Sequence, residues 1–258
     1  MKRANVRPDL TKIVLAGLMV LAAGAAIFLY VTNKTGDLQQ QLDAHATTLS
    51  EISQSLDTAE HEIPERLKDS NARLQKLHEF RDAVARLKLN LDAKTFDKVA
   101  NAHSLAELVV STSVQLLQSS KLAFQAYGSA LELLTENQRR LAALLIGDGS
   151  GAADAGKIAD ALQRIETLLE TGDGVNTVLG EQVMKLEISW LELSREADRL
   201  RTTADEESKQ LAGTIDRYLG IGGTSLEQAR KTQASGEGLS KALRQALATQ
   251  KSMASAVK

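Results

Sequence analysis

LGEQVMKLEISWLELSREADRLRTTADEESKQLAGTIDRY, residues Leu179 to Tyr218, decides the fold. Leu179, Leu186, Leu193 and Leu200 recur every seven residues, and Val183, Trp190, Ala197, Ala204, Leu211 and Tyr218 form a second column. The columns are offset by three and four, the spacing at which apolar side chains on one helix interlock with those on a neighbour. A long helix is predicted here. Gly220 to Gly223 is expected to end it, and Thr171-Gly172-Asp173-Gly174 to separate it from a short helix carrying Ile158, Leu162, Ile165 and Leu169. A last, weaker helix is read over 221–258 through Leu239, Leu243, Ala246, Met253 and Val257; Gly236 and Gly238 loosen its start, and it is expected to be mobile.

Toward the N-terminus the same grammar continues. Gly147 to Gly156 is glycine-rich and predicts a bend between antiparallel helices. Before it, Val109, Leu116, Ala123, Ala130 and Leu144 lie beside a second stripe of Val110, Leu117, Phe124, Leu131 and Leu145. Two adjacent stripes make a wide apolar face, suited to packing against more than one neighbour. Asp92 to Asn101 is less apolar and predicts a turn, so 92–220 is read as a helical bundle. Upstream, Leu42, Leu49, Leu56 and Ile63 alternate with Leu38, His45, Ile52 and Ala59 in a narrow coiled-coil seam. Pro64 disfavours helical angles at Ile63, so a kink or new helix start is expected within a stalk spanning 37–91. No sustained alternating run occurs, and no sheet is predicted. The fold class is all-α.

Ile13 to Val31, IVLAGLMVLAAGAAIFLYV, is uncharged and long enough to cross about 30 Å of hydrocarbon as a helix. Lys2, Arg3, Arg7 and Lys12 stand before it against the single acid Asp9. By the positive-inside tendency the basic head, 1–12, is cytoplasmic and the bulk of the chain is exported across a bacterial-type inner membrane. Ala23-Gly24-Ala25 has the form of a signal-peptide cleavage site, but the apolar run continues through Val31, which favours an uncleaved anchor. Gly17 and Gly24, with Ala16 and Ala23 beside them, offer a close-packing face in lipid. With Leu42, Leu49, Ile52 and Leu56 of the seam they form the interface expected for self-association or for a helical protein partner. The rival is a seam that packs on the chain's own later helices.

Composition excludes several classes of function. Across 258 residues there is no cysteine, so disulfides, thiol catalysis and thiolate metal sites are ruled out. The formal net charge of -2, with both signs interspersed, gives no nucleic-acid footprint. Aromatics make up 3% of residues, so the core must be a seam of Leu, Ile, Val and Ala. His45, His61, His78 and His103 lack the spacing that puts two ligands on one helical face, and no metal or cofactor is implied. His45 falls in the seam, where the preferred reading is a polar residue that sets register. The glycine run at 147–156 follows no strand and lacks a Lys-Ser/Thr pair, so it reads as a connector. Trp190 and Tyr218 share a column and are read as core, with a ligand pocket between helices as the alternative. No nucleophile-base pair emerges, and no enzyme activity is expected.

The short basic head, the span beginning near residue 13 and the long Leu/Ala/Ser helices resemble the amino-terminal part of methyl-accepting chemotaxis receptors. The resemblance is one of layout over roughly residues 1 to 220 and includes no motif. It implies an exported four-helix sensory bundle, but no second apolar span leads on to a signalling hairpin. Two expectations therefore stand side by side: an anchored interaction, tethering or assembly component, and a chemoreceptor-like ligand-binding module that signals through a partner.

Overall fold

The computed structural model describes the backbone of residues 10–87, 92–146, 151–202 and 206–257, with side chains for 36–86, 92–146, 154–199, 201–202 and 213–256. Four helices account for nearly all of it: α1 (Leu10–Leu87), α2 (Ala93–Ile146), α3 (Gly151–Arg201) and α4 (Glu206–Val257). Among the described residues there is no strand. The helices run up, down, up and down. Helices α2 and α4 pack against each other through the middle, and α1 and α3 lie on opposite sides, each touching both.

The seam of α1 is the reason the first helix belongs to the bundle. Leu38, Leu42, His45, Leu49, Ile52, Leu56, Ala59 and Ile63 are all buried. They share one core with Phe124, Tyr127 and Leu131 of α2, Ile165 and Leu169 of α3, and Leu239, Leu243 and Met253 of α4. Each fully buried Leu or Ile contributes about 1.5 to 3 kcal/mol relative to exposure. Further along the bundle, a middle cluster joins Val109 and Leu116 to Leu179, Leu186 and Leu226. A distal cluster joins Leu77 and Val84 to Val99, Leu193, Ile215 and Tyr218.

Several expectations need correcting. The seam residues Leu42, Leu49, Ile52 and Leu56 are covered by the chain's own α2 and α4, the arrangement set out above as the rival to pairing with another chain. Residues 37–87 are thus a wall of the bundle, with no separate stalk. Helix α1 also runs unbroken through Pro64, with no new start there. Ile63 just before the proline and Leu77 beyond it are buried, and this packing outweighs the roughly 3 kcal/mol that an interior proline costs a helix. Residues 221–257 form the second half of α4, and Leu239, Leu243, Ala246 and Met253 anchor them in the core. The span at 13–31, including Gly17 and Gly24, lies within the α1 backbone, but its side chains are outside the described residues. Among those that are described, no helix is long and apolar enough to cross a membrane.

The glycines mislead most. Helix α3 continues through Gly172 and Gly174, and α4 through Gly220 to Gly223. Two of these glycines are notches for aromatic rings. A methyl at Gly172 would lie 2.8 Å from Cδ1 of Tyr127 and closer still to Cε1, and one at Gly223 would lie 3.2 Å from Nε1 of Trp190. Helix α3 ends instead at Arg201 and α4 begins at Glu206, in the middle of the heptad columns. Thr202 marks the end of α3 by donating its N–H to the Asp198 carbonyl at 3.2 Å, and Arg201 pairs with Asp216 across the hairpin. The first hairpin has a clearer signal: Asp92 caps α2, its Oδ1 accepting from the N–H groups of Lys94 and Thr95 at 3.0 and 3.1 Å.

Continuity of α3 makes a prediction about its glycines. Nothing lies within 4 Å of a methyl at Gly174, so Gly174→Ala should stabilise by up to about 1 kcal/mol through helix propensity. Gly172→Ala should instead destabilise by about 1 to 3 kcal/mol by displacing Tyr127. Urea unfolding checks both, and a loss of stability in Gly174→Ala matching that in Gly172→Ala would mean a turn and not a helix at this point.

Candidate functional site

Beside the notch at Gly172, Asp173 of α3 gathers polar groups from two other helices. The Tyr127 hydroxyl of α2 donates to its Oδ1 at 3.0 Å, the Ser240 hydroxyl of α4 donates to the same oxygen, and Arg244 of α4 donates to Oδ2 through Nε at 2.8 Å and through a second guanidinium nitrogen. Burial pushes the Asp173 carboxyl upward, but the hydrogen bonds from Ser240, Arg244 and Tyr127 outweigh it and hold the group below the ordinary carboxylate range. The Tyr127 phenol moves the other way. Burial, then its bond to Asp173 and that residue's charge, raise it well above its usual value, so it stays a neutral donor. An ionised carboxylate whose oxygens are already occupied by donors is a poor base and a good fastener.

A cleft of about 850 Å³ opens beside this node between α3 and α4. Asp173, Asn176, Glu181 and Met184 line it from α3, and Lys241 and Arg244 from α4. Asn176 is 7% exposed, and Gly236 makes room for it, since a methyl there would stand 2.5 Å from its Oδ1. The lining offers both signs of charge, an amide and a thioether, which suits holding a small polar molecule. Among the described residues no group of three or more His, Asp or Glu is placed to hold a metal ion.

A second polar node lies deep between α1, α2 and α4. His45 is 3% exposed, with Nδ1 2.8 Å from Gln138 Oε1 and Nε2 3.0 Å from the Ala246 carbonyl oxygen. Gln138 in turn donates from Nε2 to the Leu42 carbonyl at 2.6 Å. This is the polar seam residue expected from the sequence, bonded so that it fixes the register of α1 against both neighbours. His78 and His103, distant in sequence, both approach Glu107, at 3.0 and 3.9 Å, where Arg81 also pairs. His103 further reaches the Leu77 carbonyl through Nε2 at 2.8 Å.

Trp190 and Tyr218 do not face a common pocket. Trp190 of α3 is half-buried over Gly222 and Gly223, its indole N–H directed at the Leu219 carbonyl at 3.4 Å. Tyr218 of α4 is buried and meets the rings of Phe80 and His103 edge-on, at centroid distances of 6.1 and 5.4 Å. Neither lines the α3/α4 cleft. Leu42, Leu49, Ile52 and Leu56 are core, as described above. Sequence reasoning missed Asp173, Tyr127, Ser240 and Arg244, because the first sits in a Gly-Asp-Gly that reads as a turn and the others gain meaning only from long-range packing. Comparison with protein families, with curated proteins and with solved structures finds no match to this chain.

Asp173→Ala should cost about 2 kcal/mol at neutral pH, the scale of hydrogen bonds to a charged group left unmade. Because the folded carboxyl is depressed, this contribution is fully present above the unfolded value near 3.9 and is lost as pH falls through the lower folded value. Urea unfolding of both proteins should therefore show the stability gap closing below about pH 4. A gap that is constant between pH 7 and pH 2.5 would contradict the ionised node.

Proposed function

We propose that this chain is a membrane-anchored helical-bundle protein of the bacterial envelope, held by residues 13–31 with its bulk outside the cytoplasm, and that it acts as an interaction, tethering or assembly component. The observation that carries this reading is the continuity of α1, which extends from Leu10 to Leu87 as one helix. The apolar segment therefore leads without a linker into the helix whose inner face supplies the bundle core. A bundle mounted in this way presents its outer faces at a fixed height and orientation above the bilayer. The charge asymmetry around residues 13–31 supports the export of that bundle.

One observation favours the alternative, a chemoreceptor-like binding module that signals through a partner. The α3/α4 cleft is lined by charged and amide groups, and it adjoins the Asp173 node that ties α3 and α4 to α2. A ligand seated there would move α4 against α3, and the node would pass the shift on. The interaction reading is preferred because this cleft is an open groove on the bundle surface, whereas small-molecule sites usually enclose most of their ligand.

A reporter that is active only after export, fused behind Lys258, tests the placement. Activity in the membrane fraction, with Met1 to Tyr30 retained, is the expected outcome. A soluble mature chain beginning near Ala26 would remove the anchor and with it the tethering role.

A further inference from the structure

Helix α3 carries an apolar stripe on the face turned away from the bundle. Met184, Ile188 and Leu191 are 61%, 56% and 49% exposed. They follow one another at four and three residues, so they stand on adjacent turns of one face, whereas Val183, Leu186 and Leu193 on the opposite face fill the core. Four exposed charges flank the stripe, in the order Glu181, Lys185, Glu192, Arg195. Among the described residues none of the four has a hydrogen-bond or ion-pair partner. Isolated exposed leucines are ordinary, but a continuous stripe edged by unpaired charges is the anatomy of an interface with a polar rim.

We infer that this face binds the same face of a second copy, antiparallel, about a two-fold axis at Ile188. The charge order selects that occupant and that direction. When α3 is laid against itself in reverse, Glu181 meets the partner copy's Arg195 and Lys185 meets its Glu192, and the symmetry repeats both pairs. Laid parallel, acid meets acid and base meets base, which is destabilising. The apolar residues obey the same operator. Helical geometry puts Ile188 on the centre line between Glu181 and Arg195, Met184 and Leu191 on one flank, and Lys185 and Glu192 on the other. A two-fold perpendicular to the helix keeps each flank on its own side, so Met184 packs on Leu191, Ile188 on Ile188, and Lys185 on Glu192. The face is thus self-complementary in position as well as in charge, as an isologous contact requires. One helix-on-helix contact of this length buries less than the roughly 1,200 Å² of a stable interface, so the pair is weak and reversible.

Helix α3 runs in the same direction as α1, so the two-fold sends the amino-terminal ends of the two copies opposite ways. Resting on the anchored reading above, which puts every copy in one membrane with its bundle outside the cytoplasm, the partners then come from facing stretches of that membrane, as across an infolding or a division septum. About 40 residues of α1 separate Val31 from the level of Ile188, or about 60 Å from each membrane at the helical rise.

The absence of cysteine makes the test clean. In full-length protein in detergent, at tens of micromolar, Ile188→Cys should form an oxidised dimer, and the exposed Gln125→Cys on α2 should form little. Glu181→Cys and Arg195→Cys should crosslink when mixed, and neither with itself. In the Ile188→Cys background, Glu181→Arg should lower crosslinking about five- to tenfold, the effect of losing rim ion pairs, and adding Arg195→Glu should restore it. Equal crosslinking at Ile188 and Gln125, self-crosslinking at Glu181 or Arg195, or no rescue by the charge swap would overturn the antiparallel pair. Failure of the export reporter would overturn the facing-bilayer arrangement while leaving the pair itself intact.

Discussion

The structure depends on the burial of the α1 seam by helices of the same chain. Leu38 to Ile63 is a stripe one or two side chains wide, too narrow for a helix to be stable alone in water. Its residues become core only because α2 and α4 return to cover them. That covering requires α4 to reach the proximal end of the bundle, where Leu243, Ala246 and Met253 lie against it. The C-terminal residues are therefore as necessary to α1 as α1 is to them. His45 makes the match specific, since its two bonds to Gln138 and Ala246 hold only when α1, α2 and α4 are in a single register.

The helical periodicity was legible because it is local. Every seam residue assigned to α1 between Leu38 and Ile63 is buried, and both stripes of α2 from Val109 to Leu131 face inward. Punctuation was less legible, because a glycine has two physical uses. At Gly172 and Gly223 the missing side chain admits a ring from another helix, and the sequence of one helix cannot reveal that. The turn after Arg201 carries no glycine or proline, and the heptad columns pass through it. Its signal is charge: Arg199 and Arg201 close α3, and Glu206 and Glu207 open α4, the signs that helix ends favour. The candidate site was illegible for a related reason. Tyr127, Asp173 and the Ser240–Arg244 turn of α4 are separated by dozens of residues and meet only once the helices have been ordered.

The two polar nodes divide the work of holding the bundle in shape. Asp173 fastens α2, α3 and α4 near the cleft, and His45 fastens α1, α2 and α4 nearer the amino-terminal end. With so few aromatic side chains the apolar layers are built of similar aliphatic residues, which slide past one another more readily than large rings do. Polar bonds at two levels remove that freedom, since a shift of one turn would leave a partly buried carboxylate and a buried imidazole without partners. The outer face of α3 takes no part in this and is left available.

The claim that the chain closes on itself is tested most directly by the reactivity of one buried position. Leu49→Cys puts a thiol in the α1 seam, where Leu49 is 5% exposed. Its alkylation rate should be measured across protein concentrations spanning monomer and dimer. If α2 and α4 of the same chain cover the seam, the thiol is protected at every concentration, while a thiol in Glu51→Cys reacts freely throughout. If a second copy covers the seam, dilution exposes it, and a rate for Leu49→Cys that rises toward that of Glu51→Cys would contradict the fold described.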